Sequence, residues 1–219
     1  MIQDDTKHHE TIINIIKKLQ PIIRRFKYAN KILTTKTMKQ IYYSQVYPHL
    51  IGSITVWGTQ QNNKEYIQPL IRTHKKIIRL LMNLPPQAHT KPIMKKLQIL
   101  NLTNLYTLRV LLEMHPHMHP KKHKNRPEHD HNYISATQVH AYPTRLTQEH
   151  TYYIPNPNLL RQAKITNRTA THKTAHYNTK YITIWNQVPL TIRQNDNRDS
   201  FKTELQQHLR HAQATHLET

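Results

Sequence analysis

One stretch limits what this chain can fold into: IYYSQVYPHLIGSITVWG, Ile41 to Gly58. It is the longest run with few charges in a chain of formal net charge +20. It also holds both glycines, Gly52 and Gly58, and one of the two tryptophans, Trp57. An apolar, aromatic-rich segment in so basic a sequence predicts a buried axis on which charged segments pack. Pro48 stands in its middle. The run is too interrupted by polar residues, and too rich in tyrosine and histidine, to span a membrane.

The charge balance names the class of partner. Thirty-two Lys and Arg face twelve Asp and Glu, with a pI near 10.2. Such an excess points to a polyanion, nucleic acid first and anionic membrane second, against the alternative of a merely solvated basic surface. The absence of cysteine excludes disulfides, thiolate catalysis and Cys-containing zinc sites. The N-terminal MIQDDTKHHE lacks the apolar core of a signal peptide, so an intracellular site, nucleus or cytoplasm, is expected. A hydrophobic content of 37% lies below the roughly 45–50% usual for globular domains, so part of the chain is expected to pack poorly.

Around the central stretch the spacing predicts helices. Ile12, Ile15, Ile16, Leu19, Ile22, Ile23 and Phe26 fall on one helical face, with Pro21 expected to interrupt the helix or open its second half. LTTKTMKQ supplies hydroxyls to cap the helix that enters the central stretch. There Met38, Ile41, Tyr42 and Val46 share one face and Tyr43, Tyr47, Ile51 and Ile54 another. This predicts a helix contacted from both sides, kinked at Pro48 and loosened at Gly52, with SITVW open to a strand reading. Tyr66, Ile67, Leu70, Ile71, Ile77, Ile78 and Leu81 mark the next helix, expected to run from about Pro69 to Asn83. His74, on its apolar face, reads as a core or boundary residue.

On a different face of that helix Arg72, Lys75, Lys76 and Arg79 form a stripe able to run along a phosphate backbone, or else an ordinary solvated face. Pro85-Pro86 should force a turn, and a short helix should start at Pro92 and carry Lys95 and Lys96. Thr103 or Asn104 should cap a last helix with Leu105, Leu108, Leu111 and Leu112 inward.

At His115 the composition changes. HPHMHPKKHKNRPEHDHN has six histidines, three prolines and almost nothing apolar, and reads as a linker; its spacing fits no standard structural zinc motif, and weak metal binding is the alternative. Beyond it HTYYI, residues 163–166 and residues 181–185 read as extended pieces, and residues 155–158 and 195–197 as turns. Ser200 to His211 reads as a closing helix, with Phe201, Leu205 and Leu209 inward and Ser200 as cap. The expected architecture is mainly α: a helical module over residues 1–114, a linker over 115–131, and a small irregular α+β module over 132–219.

The order of motifs carries a family resemblance. Ile41 to Gly58 resembles the segment that follows the polymerase core in non-LTR (LINE-type) retrotransposon reverse transcriptases. In that family a basic helix comes next, here Arg72 to Asn83. A proline-led signature follows, matched by Ala88-His89-Thr90, Pro92, Lys95-Lys96-Leu97 and Ile99-Leu100. After a variable linker come elements similar to His140, Tyr142, Thr144 and Arg145, then Trp185, Asn186, Val188 and Pro189, then Ser200, Phe201, Lys202 and Leu205.

The resemblance implies a thumb-like helical bundle that grips nucleic acid by its backbone, with Arg72, Lys75, Lys76, Arg79, Lys95 and Lys96 as the contacts. The partner implied is RNA, DNA or an RNA–DNA duplex, not a membrane. The family's metal-binding aspartates lie in a palm upstream of the matched region, and magnesium is implied there alone. Asp4-Asp5 lacks the aromatic and alanine that precede the family's aspartate pair, and lies much too near Trp57. No catalytic residue, metal ligand or cofactor is therefore expected within these 219 residues, and the missing polymerase portion is a further expected partner. The alternative is a small basic nucleic-acid-associated protein derived from such an element.

Overall fold

A computed structural model of the chain describes residues 3–52, 54–58, 64–119, 134–135, 152–153 and 181–215. The described residues are mainly helical. They fall into two compact units, Met1–Arg109 with Gln206–Thr219, and Val110–Leu205.

In the first unit, α1 (Gln3–Ala29) buries Ile12, Ile15, Leu19, Ile22, Ile23 and Phe26 and packs against α5 (Lys64–Leu81). The expected interruption at Pro21 does not occur: the helix runs through it. Pro21 costs about 3 kcal/mol in a helix interior. Burying six large apolar side chains on both sides of it, at roughly 1.5–3 kcal/mol each, outweighs that.

The central stretch is a broken axis. Helix α2 (Thr35–Ile41) is capped by Thr34, whose Oγ1 accepts from the Thr37 N–H at 3.3 Å, as expected from LTTKTMKQ. A π-helical turn follows over Tyr42–Val46, then α3 (Tyr47–Ile51) and α4 (Ile54–Trp57), so SITVW is not a strand. The π turn lies just before Pro48, whose ring would meet the carbonyl four residues back in a regular α-helix; a wider turn relieves that clash. It also sets which face is buried. Met38, Tyr42, Val46, Leu50 and Ile54 are all at most 1% exposed, a strict four-residue spacing. On a regular α-helix that spacing drifts by about 40° per step, so the five would not stay inward. The π turn takes up one extra residue and holds them there. The expected second apolar face is only half-buried: Tyr43 is exposed, and Tyr47 and Ile51 are intermediate.

Helix α5 (Lys64–Leu81) begins before Pro69, not at it. It ends where Asn83 takes a left-handed conformation (φ 50) and the Leu84 N–H returns to the Arg79 carbonyl at 3.0 Å, before the two prolines are reached. The ends of α1 and α5 are joined by Asn30 Nδ2, which donates to the Leu80 carbonyl and to Asn83 Oδ1, each at 3.3 Å. Helix α6 (Thr90–Leu97) starts two residues earlier than expected and ends at left-handed Gln98. Helix α7 (Leu102–Met118) is capped by Asn101, whose Oδ1 accepts from the Asn104 N–H at 2.8 Å; the expected caps Thr103 and Asn104 lie inside the helix. Gly58 lies against the buried Tyr106 ring, with no room for a Cβ.

The boundary expected at residues 114–115 falls inside α7, and the units divide instead at Arg109 and again inside the closing helix. In the second unit, β1 (Ile134–Ser135) pairs antiparallel with β2 (Tyr152–Tyr153). Residues 181–185, expected to be extended, lie in helix α8 (residues 181–186), followed by α9 (Leu190–Arg193) and α10 (Arg198–Thr215). Helical spacing explains the change, since α8 buries Ile182 and Trp185, three residues apart. The cap of α10 is Asn197, whose Oδ1 accepts from the Asp199 and Ser200 N–H groups at 2.9 and 3.2 Å; the expected cap Ser200 is inside. His115, expected to open a linker, is fully buried. It packs on Phe201 at 4.4 Å, and its Nε2 donates to the Asn195 carbonyl. The expectations for residues 120–131, 140–145, 155–158 and 163–166 lie outside the described residues.

Candidate nucleic-acid interface

The inward face of α5 fixes its outward one. Ile67, Leu70, His74, Ile77, Ile78 and Leu81 are buried, and Arg72, Lys75 and Lys76 are exposed between them in sequence. Arg79, predicted as a fourth contact, is half-buried, and its Nε donates to the Ala88 carbonyl at 2.7 Å. That bond holds the turn leading into α6, so part of the Arg79 guanidinium is already engaged. Helix α6 packs against α5 and exposes Lys95 and Lys96 in its last turn, where cations also complement the helix dipole.

His74 is a core histidine. Its Nε2 lies 3.0 Å from Tyr42 Oη, and the rings are stacked with centroids 6.0 Å apart. Burial lowers the His74 pKa to about 4 and, together with neighbouring Tyr43 and Tyr47, raises that of Tyr42. Both groups are therefore neutral at physiological pH and add no charge to α5. Trp57 is 1% exposed and donates its indole N–H to the Gly52 carbonyl at 3.1 Å. Tyr42 and Trp57 are thus core, in line with the sequence reading, and unavailable for stacking on bases.

Sequence reasoning passes over two features. Tyr28, near the end of α1, is 73% exposed and follows Arg24, Arg25 and Lys27, with Lys31 just beyond. An exposed aromatic among cations is the combination that stacks on unpaired bases. The second is a run without acids. Between Thr11 and Arg109 the sequence has seventeen Lys and Arg and one acid, Glu65. A count of acids along the chain, beside the count of bases, finds it.

Among the described residues no three His, Asp or Glu side chains are grouped so as to hold a metal ion, and no helix is long and apolar enough to cross a membrane. The chain matches no protein-family model, no curated protein and no solved structure.

Proposed function

We propose that the chain is a nucleic-acid backbone-binding module, the thumb and post-palm part of a non-LTR retrotransposon reverse transcriptase, with no polymerase activity of its own. Exposed Arg72, Lys75 and Lys76 on α5, with Lys95 and Lys96 on the adjoining α6, contact phosphates without reading sequence. The observation that carries the reading is the basic run of the first unit, nearly free of acids, whose cations stand mostly exposed over a packed apolar axis. A merely soluble basic surface has no need to exclude acids over such a length. The ordered family motifs, from Ile41 through Leu205, supply the polymerase context.

The test is binding of a labelled RNA–DNA duplex across a salt series. Replacing Arg72, Lys75 and Lys76 together by Glu should weaken binding and reduce the slope of log K against log salt by about 2.7, roughly 0.9 for each phosphate no longer neutralised. An unchanged slope with unchanged circular dichroism removes α5 from the interface. Primer extension with magnesium tests the second half of the proposal: sustained nucleotide incorporation by the purified chain would refute it.

A further inference from the structure

A small cavity in the first unit is lined by Tyr43, Tyr47, Gln98, Gln206 and Arg210, with Ile99, Leu100, Leu105 and Leu108 as its apolar wall and Tyr42, whose hydroxyl is engaged by His74, behind them. Its polar side chains all carry hydrogen-bond donors, and none is a carboxylate. The phenols of Tyr43 and Tyr47 stand side by side, ring centroids 5.4 Å apart. Burial pushes both phenol pKa values up, while the Arg210 charge pulls that of Tyr43 back and the Arg109 charge that of Tyr47. Both stay protonated at neutral pH, as donors. Gln98 and Gln206 complete the polar lining. Arg210 supplies the charge, and its Nε is closed off from solvent with no hydrogen-bond partner among the described residues. An unpaired guanidinium N–H is costly to bury, which makes Arg210 the lining residue that gains most from an acceptor.

Size selects the acceptor. The cavity holds about 30 Å³, room for roughly two water-sized groups. A nucleoside does not fit there. The two non-bridging oxygens of a phosphodiester do, and a guanidinium presents parallel N–H groups to such a pair. The position of Gln98 fits the same purpose. It occupies a left-handed helix end (φ 56), where glycine is the unstrained choice, and it lines the cavity.

We propose that this cavity is a receptor for a single phosphate oxyanion, gripped by Arg210 and by the hydroxyls of Tyr43 and Tyr47. The source of the phosphate, the backbone of a bound nucleic acid, rests on the function proposed above; the chemistry of the pocket does not.

The test uses the full chain labelled with nitrogen-15 and follows the Arg210 Nε–H resonance, assigned by its loss in Arg210→Lys. Inorganic phosphate added at fixed ionic strength should shift it saturably. Tyr43→Phe should weaken the apparent affinity about tenfold, while Lys17→Gln, at an exposed position of α1 that does not line the cavity, should leave it unchanged. An RNA–DNA duplex should then displace the inorganic phosphate. Saturable binding that the duplex does not disturb upholds the pocket and refutes the nucleic-acid source. No saturable shift with phosphate, in wild type, overturns the pocket whatever the duplex does, and leaves only water in the cavity. If Arg210→Lys does not fold, Arg210→Gln serves for the assignment.

Discussion

His74 lies 2% exposed on the inward side of α5, with its Nε2 bonded to the Tyr42 hydroxyl at 3.0 Å. Burial holds its pKa at about 4, against an ordinary 6.5 in the unfolded chain. Above about pH 6.5 the imidazole is neutral in both states and costs nothing. As pH falls through 6.5 the unfolded chain takes up the proton first, and the equilibrium moves toward it. The loss grows until about pH 4, where the folded state protonates as well, and then levels off. The gap between the two values amounts to about 3 kcal/mol. That is a large fraction of the stability of a unit this size and corresponds to a Tm drop on the order of 10 °C.

The variant His74→Gln keeps a polar group opposite Tyr42 but nothing that titrates. Urea unfolding followed by circular dichroism, from about pH 7.5 to about pH 4, should give two diverging curves. The wild type should lose about 3 kcal/mol more than the variant over that range. Subtracting the curves removes the contribution of the other histidines and of the carboxylates. Parallel curves would refute the reasoning, as would an NMR titration that puts His74 near 6.5.

Two substitutions test the packing and the helix ends. Gly58→Ala should destabilise the chain by about 1–3 kcal/mol, because its Cβ would overlap the buried ring of Tyr106; chemical denaturation measures it, and a neutral result would show that the ring can move. Gln98→Gly should stabilise by roughly 1 kcal/mol, by relieving the left-handed conformation, while weakening phosphate binding at the cavity. A stabilised variant with full phosphate affinity would separate Gln98 from the site.

How much of this is legible depends on the period assumed. The inward faces of α1 and α5 follow regular helical spacing, and most residues the sequence marks there are buried, Leu19, Phe26, Leu70 and Ile78 among them, while Ile16, Tyr66 and Ile71 are half-buried; α7 buries Tyr106, Val110 and Met114 beside the marked Leu105, Leu108, Leu111 and Leu112. The central stretch does not follow it. Sorting its apolar residues at 3.6 per turn puts Met38, Ile41, Tyr42 and Val46 on one face and Ile54 on another. The structure instead buries a four-residue series from Met38 to Ile54. A run of five apolar residues at that spacing, with a proline in its midst, is itself the signal of a π turn, since no regular α-helix keeps it on one side. Caps escape the sequence for a related reason. Thr103, Asn104 and Ser200 are capping types, but an asparagine stands three residues before Asn104 and again before Ser200, and each asparagine takes the role. Of the six basic residues read as contacts, five are exposed; Arg79 is drawn in by the Ala88 carbonyl, a turn contact that no spacing rule shows.

The charge distribution sets stability against binding. Seventeen cations and one acid between Thr11 and Arg109 repel one another in the folded unit more than in the extended chain. Salt shortens the reach of that repulsion, from about 30 Å at 0.01 M to about 10 Å at 0.1 M. The Tm should therefore rise by a few degrees over that range, whereas a protein held together by surface ion pairs loses stability. Replacing Arg72, Lys75 and Lys76 together by Gln should raise the Tm at low salt and flatten its salt dependence, and the same change should weaken duplex binding. A polyanion does what salt does and more, because it binds the folded surface and shifts the unfolding equilibrium by mass action. The Tm should thus climb further with added RNA–DNA duplex in the wild type than in the triple variant. A Tm that falls with salt would show that ion pairs outweigh repulsion, and the run of cations would lose its meaning as a surface held ready for a polyanion.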